Sequence, residues 1–503
     1  MKNVQKAFLA AVFMLFFLVS VGSVLADPQN YGTRAVRITS KCSSGLPDVP
    51  PPTASDPACP KVPTIAQSPS GRWSVDISWF DPDTQKSYLA DRNNFGVDII
   101  DTTTDQVVGN TGGFVGTNCT PTGAAGTPDC TVAPAPPANS AGPNGVLTTT
   151  NPRQLWAGDG NGLVRVFSLD GNGMPTAQLT PVNAGGVRRA DELAYDPDDN
   201  VVLAAWDDDA DLFVALISVS STPAVLKKIS IPEAAGCGIE QPVYDHNTRM
   251  FYLAIPCTSA INNANHNTAV HANGEIAVID PKTKSIVNVF GLDGTLCFPH
   301  GLALGPRNNL LLGCSGDAPT GSQMRSIIMR ATDGSILQTF TQLGGSDEVW
   351  FNPGDNHYYL AMSSWTSTGL TGGPATPSLG IINAGDVDGG ASFVQNILTT
   401  RTSHSVAANF AVDCAGNSGN GNGNGNNGNE KGKAKGRANG NGFGNGKGNG
   451  NNCEVVGNKV YVPLTVVTET GEPTEVLETG GIGVYGQIPA PQNGNGGGGN
   501  NGD

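Results

Sequence analysis

Five short segments repeat one arrangement of ionisable side chains. In "GGVRRADELAYDPDDN" (Gly185–Asn200) two carboxylates, Asp191 and Glu192, stand just ahead of a short apolar run that ends in Asp-Pro. "GCGIEQPVYDHNT", "LCFPHGLALGPRN", "GGSDEVWFNPGDN" and "TSHSVAANFAV" have nearly the same shape, with Glu240, His300, Asp347 and His404 at the matching place. Asp76, ahead of "ISWFDP", and Asn144, ahead of "GVLTTTNP", extend the set to seven, although the second of these needs one extra residue. Carboxylates crowded together repel, and some must take up protons or a cation. A divalent metal is the economical answer, and mixed imidazole and carboxylate donors suit zinc, iron, manganese or calcium. Such an ion could activate water or polarise a carbonyl, with a spare carboxylate, Glu192 or Glu348, as general base. A blander role is open to the same residues. They could satisfy turn amides, or pair with Arg188 and Arg189 in a polar, water-filled channel.

These positions can share a site only if the fold gathers them. Successive gaps along the set are 68, 47, 49, 60, 47 and 57 residues, close to the period of about 40 to 50 residues in propeller repeats. The longer gaps hold insertions such as "TNCTPTGAAGTPDCTVAPAPPANSAGPNG" and "TSAINNANHNTAVHANG". After each opening segment comes a second strand ("SYLAD", "LWAGD", "VLAAW", "YLAIP", "LLGCS", "YLAMS", "YVPLT") and a third ("VDIID", "LVRVFSLD", "FVALIS", "EIAVIDP", "SIIMRA", "LGIINA", "IGVYG"). A fourth shows as "VLKKI", "IVNVF", "ILQTF" and "FVQNI". Such β-branched and aromatic runs between Gly, Asn, Asp and Pro are strands. Four strands repeated about seven times predict an all-β, seven-bladed β-propeller, with six or eight blades as alternatives. The innermost strands then run the same way around one axis, so the seven positions ring one mouth.

The last unit lacks a fourth strand, while "TRAVRITS" (Thr33–Ser40) has no partner. The N-terminal strand is therefore expected to complete the last blade and leave no open sheet edge; the alternative is a separate N-terminal hairpin.

Lys2, Lys6 and the apolar run Ala7–Val21, followed by Val24-Leu25-Ala26, read as a secretory signal peptide over 1–26. The propeller is expected over 27–488 and a disordered tail over 489–503. Within it, 416–452 is almost entirely Gly and Asn around "EKGKAKGR", a composition that predicts a disordered surface loop. It suits a tolerated insertion, or a tether to matrix or polysaccharide. No later segment is long enough to span a membrane. The net charge of −15 argues against nucleic acid or an anionic membrane as partner; a small-molecule ligand or substrate fits better.

Ten cysteines with no CxxC spacing read as disulfides of an exported protein. Nearest-neighbour pairing gives Cys42/Cys59, Cys119/Cys130, Cys237/Cys257, Cys297/Cys314 and Cys414/Cys453. Cys237 and Cys297 each precede a ring position by three residues, so their bridges would brace the mouth. Asn118-Cys119-Thr120 is a formal glycosylation sequon. No Gly-x-Ser-x-Gly elbow occurs, and six His leave little room for a serine triad.

"ADELAYDPDDN", "GEIAVIDPKTKSIVNVF", "HGLALGP" and "SDEVWFNPGDN" resemble the YVTN/NHL-type propeller repeats of exported bacterial proteins. They also resemble the gluconolactonase/regucalcin-like superfamily, over most of residues 70 to 488. That second resemblance implies a channel holding one divalent metal on a Glu, Asn and Asp set. The positional matches are Glu240, Asn144 and Asp347, joined here by His300 and His404, which the pattern does not require. Two central His are also similar to the streptogramin lyase propellers, which imply metal-assisted elimination on a cyclic ester. The expectation is an exported propeller with a metal or small polar ligand at its axial mouth, and lactone or ester ring-opening as its chemistry. The competing expectation is a non-catalytic extracellular or cell-surface scaffold.

Overall fold

The computed structural model describes residues 31–37, 75–92, 95–115, 141–207, 211–259, 271–272, 274–399, 405–414, 453–464 and 481–487. The predicted signal peptide, Cys42, Cys59, the Asn118 sequon with Cys119 and Cys130, His404, the Gly/Asn-rich stretch and the C-terminal tail lie outside these residues. Thr33–Gly486 form one compact unit; the other, Met1–Gly32 with Gln487–Asp503, falls almost wholly outside the described residues.

Among the described residues, seven sheets of four or five strands follow one another along the chain, with an added two-stranded sheet, Thr258–Ser259 and His271–Ala272, in the fourth unit. Their innermost strands are Val75–Asp81, Val146–Thr150, Leu193–Asp196, Pro242–Asp245, Pro299–Leu304, Val349–Asn352 and Ala407–Cys414. Each of these packs beside the next, and the seventh packs beside the first, so the sheets close into a seven-bladed propeller. In the seventh blade the strand Tyr31–Arg37 lies outermost, paired to Gly481–Gln487, as the unmatched "TRAVR" predicts. The second blade departs from the simple pattern. Its outer edge is two short strands, Pro175–Gln178 and Val182–Asn183, both paired to Leu163–Leu169. No helix among the described residues is long and apolar enough to cross a membrane.

Local chemistry explains the hairpins. At the end of the inner strands, Asp81 Oδ1 accepts from Asp83 N (3.0 Å), Asp196 Oδ1 from Asp198 N (2.8 Å), Asp245 Oδ1 from Asn247 N (2.9 Å) and Asn352 Oδ1 from Gly354 N (3.0 Å). These are Asx-turns, in which a short side chain stands in for a backbone acceptor. The apolar alternation then fills the spaces between blades. Leu253 and Ile255 pack toward the third blade's Leu203 and Leu216, while Tyr252 and Ala254 pack toward the fifth blade's Leu310 and Leu312. The core is thus a set of layers between neighbouring sheets, which rigidly fixes one blade against the next.

Two predicted disulfides are present, Cys237–Cys257 and Cys297–Cys314, with Cα separations of 5.4 and 4.9 Å. Cys414 and Cys453 face one another in the register of their strands.

Candidate functional site at the axial mouth

Four of the predicted positions, Asp191, Glu240, Asp347 and Asn144, are equivalent by their backbone hydrogen bonds. Asp191 N donates to Ala205 O (2.8 Å) and Ala205 N to Glu192 O (2.9 Å); Glu240, Gln241 and Ala254 repeat the pattern, as do Asp347, Glu348 and Ala361. Asn144, Gly145 and Gly158 also repeat it, at 2.9 and 3.0 Å. The extra residue of that segment is absorbed within the hairpin, where Thr150 pairs directly with Arg153 across a two-residue turn. Asn144 therefore belongs to the ring.

Close approach of neighbouring blades depends on glycine at two places. A Cβ on Gly145 would meet Asp191 O at 1.8 Å, and one on Gly301 would meet Asp347 O at 2.3 Å. Both glycines let the next blade's ring residue come up to the axis.

The ring is not uniform. In its first half arginines from the second-strand ends and loops neutralise the acids. The Arg92 guanidinium binds Asp76, and its Nε donates to Asn144 Oδ1 at 3.1 Å. Arg189 lies 2.9 Å from Asp191 and also binds Asp207. In the other half an imidazole is the centre. His300 Nδ1 is 2.9 Å from Asp347 Oδ1 and 3.7 Å from Glu240 Oε1. His300 Nε2 is 3.1 Å from Asp317 Oδ2, an ion pair in which the ring N–H does not point along the line to the oxygen. Ligand atoms of Glu240, His300 and Asp347 lie within 4.8 Å of one another, and so do those of Asp191, Glu192 and Glu240. Of the predicted positions, these five come together around Glu240; Asp76 and Asn144 are engaged by Arg92, and His404 lies outside the described residues.

One residue deeper is a second tier. Glu192 of the third blade and Glu348 of the sixth meet across the axis, both buried, and their carboxyl groups hydrogen-bond each other. Gln241 Oε1 accepts from Leu302 N (2.7 Å) and Val349 N (3.3 Å), so one amide ties together the fourth, fifth and sixth blades. Deeper still, Trp79 and Trp350 stand edge to face with centroids 5.6 Å apart, and Trp79 Nε1 donates to Thr148 Oγ1 at 3.0 Å. Both indoles are buried, so side chains fill the axis at that depth.

Burial governs the protonation states. It pushes Glu192 well above the usual carboxylate range, helped by the charges of Glu348, Asp191 and Asp76. Glu348 is likewise raised by burial, then by Asp347 and Glu240, although its bond to Glu192 works the other way. Glu240 is raised by burial to about 7, with His300 opposing and Asp347 adding to the rise. Asp207 is raised by burial and by Asp191, against Arg189. For His300 burial disfavours the cation, but Glu240, Asp317 and Asp347 overcome it and hold the ring protonated well above the ordinary value. The mouth is thus an acid-rich centre that retains protons near neutral pH.

Four participants have no counterpart in the sequence reading: Arg92, Asp207, Asp317 and Gln241. A signal for three of them existed. Arg92 and Asp207 follow directly on a second strand, in "LADR" and "AAWDDD", and Asp317 follows three residues after one, in "GCSGD", so aligning those strand ends exposes a second set of polar residues.

No family model matches the chain, and no curated relative matches it. Among solved structures the chain is similar to one in the "Crystal Structure of Mitotic Checkpoint Complex", with 12% identity, a TM-score of 0.43, and coverage of 67% of this chain and 81% of that one. It is also similar to the Kuenenia stuttgartiensis hydrazine synthase, with 10% identity, a TM-score of 0.46, and coverage of 67% and 89%. Both likenesses are too slight to bear on function.

Proposed function

We propose that the axial mouth is a divalent-cation site of an exported propeller and that its chemistry is the hydrolytic ring-opening of a lactone or cyclic ester. The observation that carries the reading is the Glu240–His300–Asp347 set: three donors from three successive blades whose ligand atoms lie within 4.8 Å of one another. Imidazole with two carboxylates suits zinc, iron or manganese better than calcium. Asp191 and Glu192 stand alongside; Asp76 and Asn144 are left out of the ligand set because Arg92 engages both. When bound, the ion would polarise the ester carbonyl. Glu192 and Glu348, hydrogen-bonded to each other and both raised by burial, would form the acid–base couple, one accepting a proton from water and one returning a proton to the leaving alkoxide. The motif resemblance to the gluconolactonase/regucalcin-like propellers supports the substrate class. The leader-like first residues and the two disulfides support export.

A second reading, a non-catalytic extracellular scaffold, is favoured by the arginine-neutralised half of the ring, which needs no ligand for its charge balance. Elemental analysis of the purified full chain at pH 8 separates the two. Near-stoichiometric metal in the wild type, lost in His300→Ala, together with metal-dependent lactone hydrolysis, is expected from the enzyme. Absence of bound metal, with no change on adding zinc, manganese or iron, would leave the scaffold.

A further inference from the structure

His300 presents both ring nitrogens to carboxylates, and the two sides are not alike. Nδ1 faces Asp347 and Glu240, the two other members of the metal-competent set, while Nε2 faces Asp317. An imidazole can give only one nitrogen to a metal. The other keeps its proton and is usually held by a carboxylate or carbonyl that sets the tautomer and the ring plane.

Asp317 is built for the second part. It lies in the connection that follows the strand Asn309–Cys314, and Ser315 Oγ donates to its Oδ2 at 2.8 Å. This connection is laced to the corresponding one of the sixth blade. Gly321 N donates to Thr371 O at 3.0 Å, Thr371 N to Ser322 O at 2.9 Å and Met324 N to Gly369 O at 2.8 Å. The Gln323 side chain adds a bond to Gly369 O at 2.9 Å. Two loops that would wander separately make one wall, and Asp317 is carried on it. The Cys297–Cys314 bridge closes the same blade end. Ser315 bonds Asp317 and not His300, so the trio has no place for a serine nucleophile.

Resting on the metal reading above, we propose that Asp317 is the positioning residue of this centre: it takes the Nε2–H of His300 and thereby makes Nδ1 the ligand nitrogen. With a cation bound, Asp317 Oδ2 would face the Nε2–H side of the ring, and Nδ1, without its proton, would be the nitrogen turned toward Asp347 and Glu240.

The test is ¹¹³Cd²⁺ and Zn²⁺ binding to the full chain with ¹⁵N-labelled histidine, in wild type, Asp317→Ala and Asp317→Asn. The expected result is ¹¹³Cd–¹⁵N coupling at Nδ1 of His300, absent in His300→Ala. Asp317→Ala should weaken Zn²⁺ binding by about 10- to 100-fold while its circular dichroism spectrum stays that of the folded wild type. Asp317→Asn, which can still accept the Nε2–H bond, should recover most of the affinity. Coupling at Nε2, or an Asp317→Ala variant that binds Zn²⁺ as the wild type does, would overturn the assignment while leaving the metal centre standing. A wild-type chain that binds neither ion would overturn both.

Discussion

His300, Glu240, Glu192, Glu348 and Asp207 share a property that decides how the molecule responds to pH. Each holds its proton to higher pH in the folded chain than its ordinary value. The native state therefore binds more protons than the unfolded chain, and stability falls as pH rises. For Glu240 the loss runs from about 4.5 to about 7 and amounts to about 3 kcal/mol. The His300 contribution is complete below 6.5 and fades only as pH climbs through its raised folded value. Asp101 and Asp317 act oppositely, because their lowered values favour the folded state above 3.8 and that benefit is lost in acid. In the presence of a chelator, thermal melts should show greater stability at pH 5 than at pH 8. Glu192→Gln combined with Glu348→Gln should flatten the decline, since two amides keep a bond across the axis without a charge to bury. A melting temperature that rises from pH 5 to 8, or an unaltered slope in the double variant, would contradict this account.

Among the elements, the contact between neighbouring inner strands sets where the ring residues stand. Gly301 allows the sixth blade's Asp347 carbonyl to approach to a distance that no Cβ tolerates. Gly301→Ala should force the fifth and sixth blades apart at the mouth, costing about 1–3 kcal/mol and weakening any cation binding through Asp347. Gly171→Ala is the control, because a Cβ there meets nothing within 4 Å. Calorimetry that finds the two variants equally stable would remove the packing argument. The strands themselves were readable in advance, since period-two alternation and Asx-turns are local features. "ADELAYDP" and "DEVWFNP" announce strand and turn together. The divided outer edge of the second blade was not readable: "PTAQLTPVN" lacks the β-branched run that marks the other outer strands, and only pairing to Leu163–Leu169 makes it strand.

At the level of the whole molecule, closure is the decisive event. Tyr31–Arg37 covers the strand Gly481–Gln487, which would otherwise be an open edge. Deleting residues 27–37 should broaden or abolish the cooperative thermal transition and produce concentration-dependent association in size-exclusion chromatography. A truncated chain that melts as a monomer at the wild-type temperature would show that closure contributes nothing. The antiparallel order within each blade also puts the starts of the inner strands on one face together with the second-to-third-strand connections, including the laced loops of the fifth and sixth blades. Cys414 and Cys453, which bracket the Gly/Asn-rich insertion, end their strands on the other face. The candidate site and the strand ends Cys414 and Cys453 thus lie on opposite faces of the propeller.

All-β class, seven repeats, the N-terminal strand in the last blade and the places of Asn144, Asp191, Glu240 and Asp347 ahead of their inner strands could be read from the chain alone. Each depends on local patterning repeated at a steady interval. Partnership within the ring could not be read that way. Arg92 reaches Asp76 and Asn144, Glu192 meets Glu348 from three blades away, and Asp317 arrives at His300 from a loop. Side chains separated by tens to hundreds of residues meet there only because a closed ring aims every blade at one axis. Burial at that axis, a property of the assembled fold, then sets which acids keep their protons.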